Sequence, residues 1–294
     1  MKRLALGTAQ FGSNYGITNQ QGKMARREAK SIFSLARTHG IDTVDTAASY
    51  GDSETCLGEC DIDGVKIITK LPPLPKDISF RGVEGWVRKM LNASFQRLRV
   101  RSIYGLLIHR SENVFGRYGK ELINSLGRLE ADGMVCKTGV SVYSPDTLDS
   151  ISKVYEFNLV QAPFNVFDQR LETSGWLSRL KNHGVEVHSR SVFLQGLLLM
   201  SGEKLPERFK YWTPVFDKWN RKLMNFGFSP LLASLKFVFS HKTIDRIVVG
   251  FETEKQLSQI LKLKDRLRND EGLDFSDLAC KDERLINPSN WSHL

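Results

Sequence analysis

Short apolar runs and amphipathic stretches alternate along the whole chain. Leu4-Ala5-Leu6 reads as a strand running into Gly7-Thr8, and Ala29, Ile32, Phe33 and Ala36 then recur at helical spacing. Ile41-Asp42-Thr43-Val44 is a second strand ending at Asp45, followed by a short helix over residues 54–58. Val65-Lys66-Ile67-Ile68-Thr69 ends at Lys70, just before Pro72-Pro73, which stops further regular pairing. Val83, Trp86, Val87, Met90, Leu91 and Phe95 then mark a strongly amphipathic helix. Ile103-Tyr104-Gly105-Leu106-Leu107-Ile108 ends at His109, and Leu122, Leu126 and Leu129 supply the next helix face.

The alternation continues to the end of the chain. Gly133 precedes a fifth strand, Val135-Cys136-Lys137-Thr138-Gly139-Val140, and Ser144-Pro145 reads as a helix start. Asn158-Leu159-Val160-Gln161 is a sixth strand, and a helix around Trp176-Leu177 and Leu180 leads through Gly184 to a seventh, Val185-Glu186-Val187. A packed helix over Leu232–Phe239, a strand Ile244-Asp245-Arg246-Ile247-Val248-Val249 ending at Gly250, and a helix with Leu257, Ile260 and Leu261 complete the series. Eight strand-helix units predict a closed, parallel, eight-stranded (β/α)8 barrel. One domain is expected over 1–294, with a tail from about 273. A doubly wound open sheet is the structural alternative, but Gly7-Thr8-Ala9-Gln10-Phe11-Gly12 has the wrong spacing for its Gly-x-Gly-x-x-Gly turn. The charge run Lys262 to Glu271 reads as a solvated helix face.

Composition narrows the functional classes. At 294 residues, with 41% hydrophobic and 26% charged content, the chain reads as globular rather than disordered. Its apolar runs are too short to span a bilayer, and Gly7-Thr8-Ala9-Gln10 interrupts any signal-peptide core, so a cytoplasmic protein with no membrane partner is expected. The net charge of +9 raises a nucleic-acid partner, but Lys and Arg are scattered without a run of five. A generally basic surface serving small anionic ligands is the simpler reading, and no nucleic-acid function is expected. Cys56 and Cys60 lie four apart, on one face if that segment is helical, but no His lies near them in sequence. Neither they nor Cys136 and Cys280 suggest a metal site, and reduced thiols are expected.

Three strand ends deliver Asp45, Lys70 and His109, and Tyr50 follows Asp45 in a Ser/Gly-containing turn. In a parallel barrel the C-terminal strand ends converge on one face, and that face holds the active site. Singly, each residue has a structural reading: a cap, a surface turn, a solvated strand end, a core histidine. Together, at the ends of buried strands, they form a set in which Asp45 pairs with Lys70 and a tyrosine stands beside a cation and an imidazole, a group suited to moving a proton to or from oxygen.

With these residues the chain resembles the aldo-keto reductase superfamily. Asp45-Thr46-Ala47-x-x-Tyr50-Gly51-x-Ser53-Glu54-x-x-Leu57-Gly58 matches its signature, and Ile68-Thr69-Lys70 and Leu107-Ile108-His109 match its lysine and histidine strands. Gly139-Val140-Ser141, Gln161 with Asn165, Gln195-Gly196-Leu197-Leu198 and Val248-Val249-Gly250 agree in order and spacing, so the likeness runs from Leu4 to about Leu263. The resemblance implies NAD(P)H-dependent reduction of an aldehyde or ketone, the cofactor being NADP or NAD bound in extended form. It implies that Tyr50 gives the proton, that Lys70 favours the tyrosinate, that Asp45 holds Lys70, and that His109 orients the carbonyl.

Cofactor contacts are expected from Gly7, Thr8, Asp45, Ser141, Gln161, Arg190, Ser191, Gln195, Gly250, Glu252, Thr253, Gln256 and Gln259. The chain departs from the family at three of these places. Val142 follows Ser141 where an Asn is usual, Arg190 stands where many members stack an aromatic ring, and Glu252 falls where NADP-preferring members often carry a basic residue, with Lys255 a turn away. The chain begins at its first strand, without the bottom-plugging hairpin common in the family, so Met1–Arg3 or the tail is expected to secure that end.

Phe11, Tyr15, Arg110 and Asn165 are candidate substrate contacts, with Phe164 and Phe167 near the same mouth; core packing is the equal alternative for the aromatic residues. Arg110, Arg170 and Arg190 point to a polar or anionic carbonyl substrate, a sugar derivative among them, and loop salt bridges are the alternative for Arg110 and Arg170. Two other functions fit the same residues: oxidation of a sugar or alcohol by the same site, and a cofactor-binding regulatory subunit with slow turnover.

Overall fold

The computed structural model describes all residues except 18, 20, 21, 201–203, 268–272 and 294. The eight strands are β1 (Leu4–Gly7), β2 (Thr43–Asp45), β3 (Lys66–Leu71), β4 (Ile103–Ile108), β5 (Val135–Ser141), β6 (Leu159–Pro163), β7 (Glu186–Arg190) and β8 (Arg246–Gly250). Each pairs in parallel with its sequence neighbour, and β1 closes on β8 with Leu4 opposite Ile247 and Gly7 opposite Gly250. Strands this short and this apolar are the pattern of a sheet covered on both faces. Inside the barrel Ile68, Leu107 and Leu159 form their own small buried cluster, distinct from the large core between sheet and helices.

The helices are α1 (Ala9–Gly12), α2 (Arg26–Thr38), α3 (Ser53–Gly58), α4 (Gly82–Leu98), α5 (Gly119–Ala131), α6 (Asp146–Ile151), α7 (Arg170–Thr173), α8 (Trp176–Asn182), α9 (Thr213–Phe226), α10 (Pro230–Ser240), α11 (Glu254–Lys262) and α12 (Glu283–Ile286). The faces read from periodicity are the buried ones: Ala29, Ile32, Phe33 and Ala36 in α2, and Leu122, Leu126 and Leu129 in α5. Among the longer helices, one escaped the sequence reading. α9 sits in the long β7–β8 connection and buries Phe216, Trp219 and Leu223, an i, i+3, i+7 stripe, between charged residues that mask it. The charge run from Lys262 is also corrected. α11 ends at Lys262, residues 263–267 form turns, and 268–271 lie outside the described residues.

Arg3 secures the N-terminal end of the barrel, as expected of that segment. Its guanidinium donates to the carbonyls of Ile244 (2.9 Å), Phe239 (2.8 Å) and His241 (2.5 Å). At the start of β7, Glu186 accepts hydrogen bonds from Tyr104 (2.5 Å), Lys137 (2.7 Å) and His188 (2.8 Å). Burial alone would raise that carboxyl, but these three partners hold it far below the usual carboxylate range.

The tail lies elsewhere. Phe275 packs on Trp219, Phe226 and Phe237, its carbonyl accepts from Gln169, and Glu283 pairs with Arg170 beyond the C-terminal end of β6. No single helix among the described residues is long and apolar enough to cross a membrane; the stretch 207–226 and α10 pass only as a pair bent by 88°, and α10 is largely buried in the core.

Candidate active site

The β2 strand ends at Asp45, and the chain turns sharply so that Tyr50 faces back over the barrel. Two glycines permit this turn. A Cβ at Gly12 would collide with the carbonyl of Tyr50, and a Cβ at Gly51, whose φ is +57°, would collide with the carbonyl of Gly12. The turn is braced from below: Ser53 Oγ donates to the Thr8 carbonyl at 2.8 Å, and Thr8 Oγ1 donates to the Asp45 carbonyl at 2.9 Å. Glu54, fully buried, accepts from Thr69 (2.6 Å) and from Arg97 (2.7 Å). Ser53 and Glu54 therefore shape the loop from behind.

Lys70, on β3, is 1% exposed. Its ammonium donates to Asp45 Oδ1 at 2.7 Å and to the Thr46 carbonyl at 2.8 Å. Gln161 Nε2 donates to the same Asp45 oxygen at 2.6 Å. Burial pushes the ammonium below its ordinary value, against the opposing pull of Asp45. The Lys70 nitrogen lies 4.9 Å from the Tyr50 ring centroid, and the rings of Tyr50 and His109 meet edge-on at 5.9 Å. Ser49 Oγ lies 3.2 Å from His109 Nδ1. The four residues named from sequence thus converge, and Ser49 joins them from the same loop.

The electrostatics differ from expectation in one respect. Lys70 was expected to favour the tyrosinate, but its charge is compensated by Asp45. Burial, and then Asp45, hold the Tyr50 phenol well above its ordinary value; Arg190 is the cation that pulls the other way. Burial, and next Lys70, push His109 down to about 4, with Arg190 and Arg110 adding to the shift. Near neutral pH the site therefore presents a protonated phenol and an uncharged imidazole.

From this cluster a groove enclosing about 380 Å³ runs outward to α11. Gly7, Thr8, Asp45, Tyr50, Arg190, Gly250, Glu252, Gln256 and Gln259 all line it, and Ser191 and Gln195, from the loop after β7, form part of its wall. Ser191, Leu194 and Gln195 all have φ between 47° and 59°, a concentration of left-handed non-glycine residues in the loop that forms that wall. Sequence reasoning missed Gln10, Phe193, Leu199 and the Ser229-Pro230 corner, which also line the groove. Ser229 was findable, because a serine followed by proline is a helix-start signal, and it caps α10 by accepting from Leu232 N.

Other expected contacts fall elsewhere. Ser141 and Gln161 sit opposite each other in the β5–β6 register, behind the groove wall, and the Gln161 amide nitrogen is engaged by Asp45. Thr253 is the N-cap of α11, accepting from Gln256 N, and does not line the groove. Asn165 is a loop brace: Nδ2 donates to the Ser191 carbonyl (3.0 Å), and Oδ1 accepts from the amides of Phe167 and Asp168. Phe11, Phe164 and Phe167 are buried in the core, the alternative held open for them, because their rings fill the space beneath the loops rather than face the groove. Tyr15 does line the groove. Arg170 is engaged by Asp168 and Glu283, whereas Arg110 is exposed and outside the groove. The cysteines are free thiols, and burial pushes Cys60 up to about 11.

Solved structures share this architecture. The glycerol dehydrogenase of Gluconobacter oxydans superimposes with a TM-score of 0.68 at 22% identity, over 97% of this chain and 92% of that one. The holo form of an aldo-keto reductase from Bacillus halodurans does so with a TM-score of 0.73 at 17% identity, over 98% and 95%. None of the curated protein sequences matches the chain significantly. The sequence profile of the Aldo/keto reductase family matches residues 3–271, which takes in every strand of the barrel and every residue converging on the groove. The chain accordingly belongs to the aldo-keto reductase family of oxidoreductases.

Proposed function

We propose that this protein reduces the carbonyl of a small aldehyde or ketone with a nicotinamide cofactor, and that Tyr50 supplies the proton. The observation that carries this reading is the convergence in the groove wall of the Tyr50 phenol, the buried Lys70–Asp45 pair with its ammonium 4.9 Å from the phenol ring centroid, and the His109 imidazole edge-on beside it. Near neutral pH the phenol carries its proton and can give it to an oxygen that hydride addition leaves negative.

The groove fits an extended dinucleotide by the chemistry of its walls. Its barrel end offers Asp45 and Tyr50. Its outer end offers Gln256, Gln259 and the Glu252 carboxylate beside the first turn of α11. A reduced nicotinamide supplies the hydride when bound. Tyr50 then protonates the oxygen that hydride addition leaves negative. Lys70 and Asp45 hold the phenol's underside in a fixed, electrically balanced setting, and His109 offers one neutral hydrogen bond to the same oxygen.

Two expected results test the electrostatic side of this reading. For carbonyl reduction, kcat/KM is expected to be flat from about pH 5.5 to 8.5, with no step near the ordinary histidine value of about 6.5. The sign follows from the shifts: His109 gains a proton only near pH 4, and Tyr50 loses its own only above its ordinary range. A step near 6.5 that disappears in His109→Gln would show that the imidazole is charged during turnover.

The second result concerns the cofactor. Glu252 lies in the groove near Gly16, where its carboxylate suits ribose hydroxyls and repels a 2′-phosphate, and Lys255 is exposed outside the groove. NADH is expected to bind at least as well as NADPH, and Glu252→Lys to shift preference toward NADPH by about tenfold, about 1.4 kcal/mol. That shift should shrink at high salt. Side-by-side titrations check it, and a strong wild-type preference for NADPH would rule out the proposed role of Glu252.

A further inference from the structure

The ion pairs around the groove leave one charge over. Asp45 and Lys70 compensate each other. Of the other half-buried arginines, Arg97 has Glu54, Arg170 has Asp168 and Glu283, and Arg246 has Asp42, while Arg3, at the opposite end of the barrel, is held by backbone carbonyls. Arg190, at the C-terminal end of β7, has no carboxylate within 4.0 Å among the described residues. It is nonetheless firmly held. Nη2 donates to the Val142 carbonyl at 3.0 Å, Nη1 reaches Ser191 Oγ at 3.3 Å, and the guanidinium carbon lies 4.5 Å from the Tyr143 ring centroid. A carbonyl, a hydroxyl and an aromatic face orient a cation without cancelling it.

The guanidinium has five donors, and two are used here. Nε is buried and has no hydrogen-bond partner. A partly buried cation with free donors is costly unless an anion meets it. Arg190 lines the groove together with Asp45 and Tyr50, whereas Gln256 and Gln259 line it from α11. Its charge is felt by Tyr50, His109 and Tyr15 alike, which puts it among the reacting groups. The dihydronicotinamide ring that hydride transfer requires at this end is uncharged, and the cofactor's own anion is its pyrophosphate; in the cofactor-saturated enzyme an anion met by Arg190 beside Tyr50 and His109 therefore belongs to the other reactant.

We propose that Arg190 recognises a carboxylate or phosphate on the carbonyl substrate, making this a reductase for anionic aldehydes or ketones. The proposal rests on the carbonyl-reducing function argued above. A guanidinium fork meets either oxyanion with paired hydrogen bonds, which the point charge of a lysine does not.

Matched pairs of compounds test it: succinic semialdehyde against butanal for the carboxylate, and glyceraldehyde 3-phosphate against glyceraldehyde for the phosphate. Wild-type enzyme is expected to favour the charged member of at least one pair by about tenfold or more in kcat/KM. Arg190→Met should bring that ratio toward one whatever happens to the shared level of activity, and Arg190→Lys should keep part of it. Equal rates within both wild-type pairs, or an undiminished ratio in Arg190→Met, would overturn the proposal. Calorimetric titration of the NADH-saturated protein with succinate and with inorganic phosphate separates its failure from that of the reductase reading, because the cofactor's pyrophosphate already fills its own place. Binding by wild type that Arg190→Met loses supports the anion site even if no carbonyl compound is turned over, in which case the reductase reading alone falls. Binding by neither protein, or equally by both, overturns it.

Discussion

Tyr50→Phe is expected to lower turnover by about 10²–10⁴-fold, the usual range for losing a positioned acid, while leaving cofactor affinity nearly intact. The variant removes one hydroxyl and little else. The ring still packs edge-on to His109 and above Lys70, and the turn is still held by the Gly12–Gly51 contact and the Ser53 hydrogen bonds. Loss of rate without loss of cofactor binding is therefore the mark of a missing proton donor rather than of a collapsed site. Steady-state kinetics on any accepted aldehyde, with a fluorescence titration of the reduced cofactor, check both halves. Wild-type turnover in this variant would remove Tyr50 from the proposed role.

Lys70→Met is expected to damage both activity and folding. The Lys70 side chain is 0% exposed and the Asp45 side chain 7%, with 2.7 Å between their charged atoms. Removing one partner of a buried pair strands the other charge, at a cost of about 3–5 kcal/mol. Gln161 still donates to Asp45 and softens the loss without cancelling it. Adding Asp45→Asn to this variant should recover much of the stability, since no buried charge then remains, but little of the activity, since the setting of Tyr50 is gone. Chemical denaturation of the single and double variants measures the first effect, and kcat the second. A Lys70→Met protein as stable as wild type would mean that the pair contributes nothing net to the fold.

The barrel and the four converging residues were legible before any coordinates. Apolar periodicity is a short-range property of the chain, and each strand end carries its polar residue within the same few positions. Eight such units have few ways to bury all their faces, and closure of β8 on β1 is one of them. Asp45 and Tyr50 lie within six residues of each other, so their relation survived in the local sequence. α9 was missed because its buried stripe of Phe216, Trp219 and Leu223 is threaded through lysines and arginines, and the strand-helix rhythm did not call for it there.

What only the tertiary structure decided is which side chains meet. Asn165 and Phe11 fall in segments that border the site, yet one braces the Ser191 loop and the other fills the core. Gln161 reaches Asp45 across 116 residues, and Arg170 reaches Glu283 across 113. Lys70 carries the same formal charge in the sequence as Arg190, but Asp45 compensates the first and no carboxylate among the described residues compensates the second. Local propensity and periodicity determine which strand end a residue occupies. Whether its charge is cancelled, its hydroxyl engaged or its ring buried depends on partners that only closure of the barrel brings within reach, because those interactions act over a few ångströms of space regardless of separation along the chain.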